Sequence, residues 1–425
     1  MNYRICFFED KKWRQFLPLS WLRPAYCLRA GILPLFRRAE RFFEQPEISL
    51  CSRSELATVI SAEFRDYPVN IIKRQEGQTV VFLNGRLRDY GNIPELAAQC
   101  RLVTKITNRD GELVGMVFPD AAVEGLPSMA TPEQYVEYFR ANAADVGEAD
   151  SDATLYNWCW DLVADIDNEI TSDFAHLKKV LPKSSRAKVH DGVFALNTDQ
   201  IHLGSSVEVL PGSFVDASHG PVFIGDNTRV ESQVAIYGPC YVGPNSVVVA
   251  SKISGSSIGH TCRVGGEIEE SVFQSCVNKY HAGFIGHSYV GSWVNFGAMT
   301  TNSDLKNNYS NIQVSVDGQL RDTGSIKVGS FIGDHTKFGI GTLLNTGINV
   351  GVCCNIFGAG LTTDREVSSY RWGNTSSYET YLFEKAIKTI RRTVERRNTN
   401  LPPAEEAVLL NLYDGKTDDD GVLEF

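Results

Sequence analysis

Residues 224–248 read IGDNTR, VESQVA, IYGPCY, VGPNSV, V, and they place Ile224, Val230, Ile236, Val242 and Val248 at a strict spacing of six. The same register holds Ile326, Ile332, Phe338, Leu344, Val350 and Ile356, and an earlier run holds Leu203, Val209 and Val215. A helix has period 3.6 and an alternating strand period 2, so neither accounts for it. Short strands joined by turns, three to a coil, do. Residues 200–360 therefore read as a parallel β-helix whose aliphatic side chains stack coil on coil. Glycine commonly follows the aliphatic position, as at Gly225 and Gly243, where a corner with positive φ would favour it.

Between residues 250 and 325 the register slips to spacings of five, and TTNSDLKNNYSNIQVSVDGQLRDTGS (300–325) abandons it. That stretch loops out of the tower, and long excursions from a rigid scaffold are where function concentrates. Residues 1–125 alternate strand-like runs (Arg4–Phe8, Val69–Ile72, Thr79–Leu83, Leu113–Phe118) with helical patterns such as Gly31–Phe43, an α/β rhythm. Thr131 to Leu177 carries apolar residues at helical spacing and reads as closing helices. After the tower, Phe383, Ala386, Ile387, Ile390 and Val394 mark one face of a helix over Ser377–Arg397, with Lys385, Lys388, Arg391, Arg392, Arg396 and Arg397 on much of the rest. The acidic tail beyond Pro402 is expected to be loosely held.

The 425 residues carry a formal net charge of -10, which argues against nucleic acid or an anionic membrane as partner. The opening MNYRICFFED meets Arg4, Glu9 and Asp10 early, so it reads as a first strand and not as a secretory signal. The uncharged stretch Phe338–Thr363 is punctuated by glycine and asparagine, unlike a membrane helix. Ten cysteines without a C-x-x-C point to reduced thiols and a cytoplasmic location.

IGHSYVGSWVNFGAMTTNSD (285–304) resembles the acetyltransferase half of the bifunctional enzyme that makes UDP-N-acetylglucosamine, with its G-H-x-x-Y-x-G, V-N-I-G-A-G-T and Asn-rich loop. Here Tyr289 comes one position early and Met299 replaces a glycine. The resemblance implies His287 as general base, with Asn295 and Asn302 orienting acceptor or acyl donor. It also implies a left-handed tower, a homotrimer, and acetyl-CoA or another acyl-CoA as co-substrate. An imidazole that titrates near neutrality suits the base role. His281, six residues earlier, is a second candidate.

FFEDKKWRQFLPLSWLRP (7–24) resembles the opening of sugar-phosphate nucleotidyltransferases, in which a Gly-rich loop ends in Gly-Thr-Arg before P-L-T and K-P. Arg14 matches the loop arginine and Arg23-Pro24 the K-P. Glu9 to Trp13 stand where the family has glycines; Lys11, Arg14 and Arg23 are the cations placed to meet phosphate, and with Asn84 they make up the expected nucleotide-binding set. In VVFLNGRL (80–87), Asn84 stands where the family's aspartate holds Mg²⁺; Asp161 and Asp89 are acids that could replace it, and no metal ligand is assigned. L-P-L-S-x-x-R-P, N-G-R, W-D-L-V (160–163) and N-S-D-L-K-N (302–307) are shared with a divergent group of sugar nucleotidyltransferases fused to hexapeptide towers.

The expected fold is an α/β nucleotidyltransferase-like (Rossmann-like) domain over 1–130, a helical closing segment and linker over 131–190, a left-handed parallel β-helix of hexapeptide repeats over 191–365, and a C-terminal helix with acidic tail over 366–425. The expected function is transfer chemistry on a sugar phosphate and a nucleoside triphosphate, with Mg²⁺, in the head, and acyl transfer in the tower. Two alternatives stay open. One is a degenerate head that only binds a sugar nucleotide; the other is a purely structural trimer.

Overall fold

Asn2–Phe8 (β1) is apolar along nearly its whole length and buried from Tyr3 onward, as befits a central strand covered on both faces. It anchors a six-stranded sheet with Glu47–Leu50 (β2), Gln78–Asn84 (β3), Thr104–Asn108 (β4), Leu113–Phe118 (β5) and Gly147–Ser151 (β6), in the order β2-β1-β3-β5-β4-β6. β1 runs parallel to β2 and β3, while β5 is antiparallel to both its neighbours. The computed structural model describes residues 2–123, 125–181, 186–417 and 419–425; residues 182–185 of the expected linker lie outside it.

Local sequence rules fail at two places in this head. The helical pattern over Gly31–Phe43 forms only as a 3-10 helix, Leu35–Arg41, because Pro34 cannot sit inside a helix that begins before it. The segment from Thr131 is not wholly helical: between helices Pro132–Ala141 and Cys159–Ala164 it supplies β6, which pairs parallel with β4 at the sheet edge.

The second half is a parallel β-solenoid of about ten turns. Thirteen of the fourteen register positions point inward or partly inward, and Val209, Val230, Val248, Ile332 and Ile356 are among those in one continuous core. Ile326 is the exception, 45% exposed on the excursion. The slip in the sequence is a change of coil length. Arg229 pairs with Val247, 18 residues on, but Arg263 pairs with Asn278, only 15 on. Between Asn295 and its partner Lys337 the coil takes 42 residues, because the hairpin Gln313–Val316 and Gln319–Asp322 stands out from it. The glycines serve close approach instead of positive φ. A Cβ on Gly225 would lie 2.7 Å from Pro244 N and one on Gly243 2.6 Å from the backbone of Gly259, while Asn227 and Asn245 adopt φ of 56° and 60°.

The tower has three faces, with Arg229, Val247, Arg263 and Asn278 on the first and Tyr237, Ser254, Glu269 and Gly286 on the second. Tyr241, Val272, Tyr289 and Phe331 line the third, and all are buried against Trp13, Phe16, Leu28 and Trp160 of the head. Helix α1 (Ile166–Val180) lies at the same junction with Ile166, Ile170, Phe174 and Leu177 inward, and its Glu169 and Asp173 hold Arg38 and Arg41. Helices α2 (Phe383–Glu395) and α3 (Pro403–Asp414) close the base, burying Ile387, Ile390, Val394 and Leu409 with head residues. The segment beyond Pro402 is thus not loose: it forms α3, and its last residues return to the head.

Arg23 joins the two halves. Its guanidinium lies 2.9 Å from Asp334 of the tower and donates to Ser292 Oγ at 3.2 Å, with Asp334 1% exposed. Removing one member of a buried pair strands the other's charge, which costs about 3–5 kcal/mol. Asp334→Ala should therefore lose about that much stability in urea unfolding followed by tryptophan fluorescence. Arg23→Met/Asp334→Leu should recover most of it; equal loss in both variants would show that the pair does not act as a unit.

Candidate functional site

Two places gather the residues singled out in the sequence. In the head, β1 and β3 run parallel, so Phe8 and Asn84 end at the same edge of the sheet, the side on which open α/β sheets take ligands. The next turn is held by Asp10, which accepts from Lys12 N at 3.0 Å, Asn84 Nδ2 at 2.9 Å and Arg86 Nη2 at 2.7 Å. Burial raises the Asp10 pKa, but Arg86 and these hydrogen bonds outweigh it and leave it lowered. Arg86 also meets Glu112 at 3.0 Å.

The mouth of this edge is covered by the chain's own acidic tail. Lys11 pairs with Glu424, Arg14 Nη2 lies 3.3 Å from Asp419, and Trp13 Nε1 donates to the same carboxylate at 3.0 Å. Leu423 N donates to Glu9 O at 3.1 Å, and the Phe425 ring packs 5.7 Å from Phe8 and 5.1 Å from Phe82. Carboxylates thus stand against the cations that the sequence assigned to phosphate. Arg23 is not among that group, being turned to Asp334. Asp161 accepts from Asn157 N and Trp158 N, both at 2.9 Å, and Asp89 from Gly91 N at 2.9 Å, so each holds a local turn.

In the tower, His287 occupies the corner between the second and third faces with φ 49°, and its side chain is 8% exposed. Nδ1 lies 2.8 Å from Asp304 Oδ2, and Nε2 lies 3.0 Å from Glu270 Oε2. Burial lowers the imidazole pKa, but the two carboxylates more than reverse it and push it up to about 9. Asn302 braces the same corner from inside the coil, accepting from Gly286 N at 2.8 Å and donating to Gly286 O at 2.9 Å. The donor atoms of Glu269, Glu270 and His287 lie within 4.8 Å of one another, the one grouping among the described residues with metal-ligand spacing.

His287 and Asn302 are therefore brought together, and Asn295 is not. It lies on the first face, its Oδ1 accepting from Asn278 Nδ2 at 2.8 Å. His281 is exposed beside Tyr280. Glu270 and Asp304 were missed in the sequence. The available signal was positional: Glu270 lies on the preceding coil, 17 residues before His287, which is the spacing of the paired Val272 and Tyr289.

Because the folded His287 pKa of about 9 lies above its unfolded value near 6.5, its pairs stabilise fully below pH 6.5 and cease to as pH rises through about 9. The stability gap between the wild type and His287→Asn should thus be constant below pH 6.5 for as long as Asp304 and Glu270 stay ionised, and close between pH 6.5 and about 9. A gap that widens with pH would reverse the assignment.

Residues 5–180 match the family model described as sugar nucleotidyl transferase. A bifunctional sugar-1-phosphate nucleotidylyltransferase/acetyltransferase of Sulfurisphaera tokodaii is 29% identical over 127 residues, 30% of this chain and 29% of that protein. The bifunctional protein GlmU of Rippkaea orientalis is 35% identical over 119 residues, 26% of this chain and 23% of that protein. The chain spans under a third of the length of these relatives. Among solved structures, the Arabidopsis UDP-N-acetylglucosamine acyltransferase aligns over 54% of this chain and 88% of its own, with TM-score 0.19 and 12% identity.

Proposed function

We propose that this chain is a transferase of nucleotide-sugar metabolism, with a head of sugar-phosphate nucleotidyltransferase type and a tower of acyltransferase type whose chemistry centres on His287. The observation that carries it is an imidazole held at Nδ1 by Asp304, on a tower joined to a segment that matches sugar nucleotidyl transferases. A carboxylate at Nδ1 fixes the tautomer that leaves Nε2 for a substrate proton. At neutral pH the resting imidazole is charged, because Asp304 at Nδ1 and Glu270 at Nε2 together raise its pKa to about 9. Glu270 is half exposed and can swing away. If Glu270 carries the Nε2 proton away as it leaves, an acceptor amine or hydroxyl taking its place would meet a neutral imidazole, pass it a proton and attack the thioester carbonyl of an acyl-CoA, and the expelled thiolate would take that proton back from the imidazolium. Asn302 keeps the His287 turn in register.

In the head, Lys11 and Arg14 would neutralise the phosphates of a nucleoside triphosphate once Glu424 and Asp419 give way. The donor set at the end of β3 does not fit Mg²⁺. Asn84 is an amide, Asp10 and Glu112 both face Arg86, and Glu112 also faces Lys12. No step is routed through the metal, and this poverty of free carboxylate favours a second reading, a head that binds a sugar nucleotide without turning it over.

Assembly as a homotrimer is part of the proposal. Met299, Ile340, Leu343 and Leu361, each at least 42% exposed, sit on successive coils along the second face and its corner. Such a run of apolar surface is what a second copy would cover. A cytoplasmic setting fits the ten free thiols, nine of them buried.

Release of pyrophosphate from nucleoside triphosphates and hexose 1-phosphates, and acetyl transfer from acetyl-CoA to amino-sugar phosphates, test the two halves. His287→Ala should cut kcat for acetyl transfer by about 10²–10⁴-fold without changing pyrophosphate release. Asp419→Ala/Glu424→Ala should tighten triphosphate binding. Binding without release in that variant would assign the head to recognition alone, and acetyl transfer undiminished in His287→Ala would remove the tower mechanism.

A further inference from the structure

Where the end of α2 meets the first face of the tower, a cavity of about 340 Å³ is lined by Arg263, Lys337, Arg396 and Arg397 and by no aspartate or glutamate. In a chain whose net charge is -10 this is an unusual concentration of one sign. By contrast, Arg391 on the same helix meets Glu406 at 2.8 Å, and Lys252 on the tower meets Glu267 at 2.8 Å. Among the described residues, none of the four lining cations has a carboxylate within ion-pair distance. Lys337 Nζ is spent on the carbonyl of Trp293 at 2.6 Å, and Arg397 Nε is buried with no acceptor.

The cost of this arrangement is visible in its neighbours. Burial, and then the nearby Arg263 and Arg396 charges, push the Arg397 pKa down, while burial lowers Lys337 to about 8. The C-terminus of α2 offers roughly half a negative charge to the arginines that follow it, too little to balance four cations. Like charges gathered around a concave, polar space and left without counter-charges are the arrangement that oxyanion ligands complete. The remaining lining suits such a ligand. Asn295 keeps its Nδ2 donor free of protein acceptors among the described residues, and the Trp293 ring offers a flat apolar wall.

We propose that this cavity binds a diphosphate-bearing small molecule, its phosphates held by Arg263, Arg396 and Arg397 and its organic part set against Trp293. The diphosphate is the chemistry shared by nucleoside diphosphates and by coenzyme A. Asn295 then belongs to this cavity and not to the His287 corner. None of its cations touches the head loop or His287, so the cavity rests on its own lining; coenzyme A as occupant would tie it to the acyl donor proposed above, and a nucleoside diphosphate would not.

Titration of the full-length protein at low ionic strength with pyrophosphate, UDP and coenzyme A, followed by tryptophan fluorescence and calorimetry, tests it. Saturable pyrophosphate binding is expected to persist in an Arg14→Ala background that disables the head loop, and to be weakened there about tenfold or more by Arg263→Ala and by Arg396→Ala/Arg397→Ala. Tighter binding of UDP or of coenzyme A than of pyrophosphate would support the proposal and name the source of the diphosphate. Asn295→Asp retains an acceptor for Asn278 and places a negative charge among the cations, so it should weaken binding comparably while leaving thermal stability equal or raised. Absence of saturable pyrophosphate binding in the wild type, or binding lost in Arg14→Ala and kept in Arg263→Ala, would overturn the site.

Discussion

Everything else in the molecule is arranged around one unfinished surface, the third face of the tower. A coil of a β-solenoid satisfies its backbone against the coils above and below, and fills its interior with one aliphatic residue per strand, but its outer faces must be made wettable or be covered. The third face carries Tyr241, Val272, Tyr289 and Phe331, all buried. Burying large apolar side chains contributes roughly 1.5–3 kcal/mol each, so the head is drawn onto this face and stays there. That docking decides what the head's loops can do. The loop after β1 supplies Trp13 and Phe16 to the junction, and Arg23 is committed to Asp334 as the polar lock within it.

The loop that follows the first strand therefore has two duties, and its sequence shows the compromise. Glycines would let backbone N–H groups approach a triphosphate, but Glu9 here forms a buried pair with Arg53, whose guanidinium stacks 3.6 Å from the Trp13 ring. Lys11 and Arg14 remain on the outer side, where the returning tail meets them with Glu424 and Asp419. The head is left with cations suited to phosphate, carboxylates that already fill their place, and few acids free for a metal. The tower, in contrast, concentrates unspent chemistry at the His287 corner and in the cationic cavity beneath α2.

Much of the tower was legible because its period is a property of neighbours in sequence. Thirteen register positions follow from spacing alone, and the excursion announces itself as a break in the pattern. Ile326 kept the spacing by coincidence, since it lies on the excursion. β6 was hidden because GEADS has no apolar alternation and pairs only at an edge. The helix α3 was legible in principle, with Pro403 at its start, acids in its first turn and Gly415 past its end, but its acids read as a tail. The partner of Arg23 could not be read from spacing. Asp334 lies 311 residues from Arg23, and only the docked faces bring them together.

The tower chemistry turns on the protonation state of His287, and a direct titration of that residue decides it. Following the imidazole carbon resonances in labelled protein, with His287→Asn supplying the blank, the wild type should titrate at about 9. Glu270→Gln should move that value downward by removing one of the two carboxylates. A midpoint near the unperturbed 6.5, unmoved by Glu270→Gln, would contradict the pairing and with it the tower site.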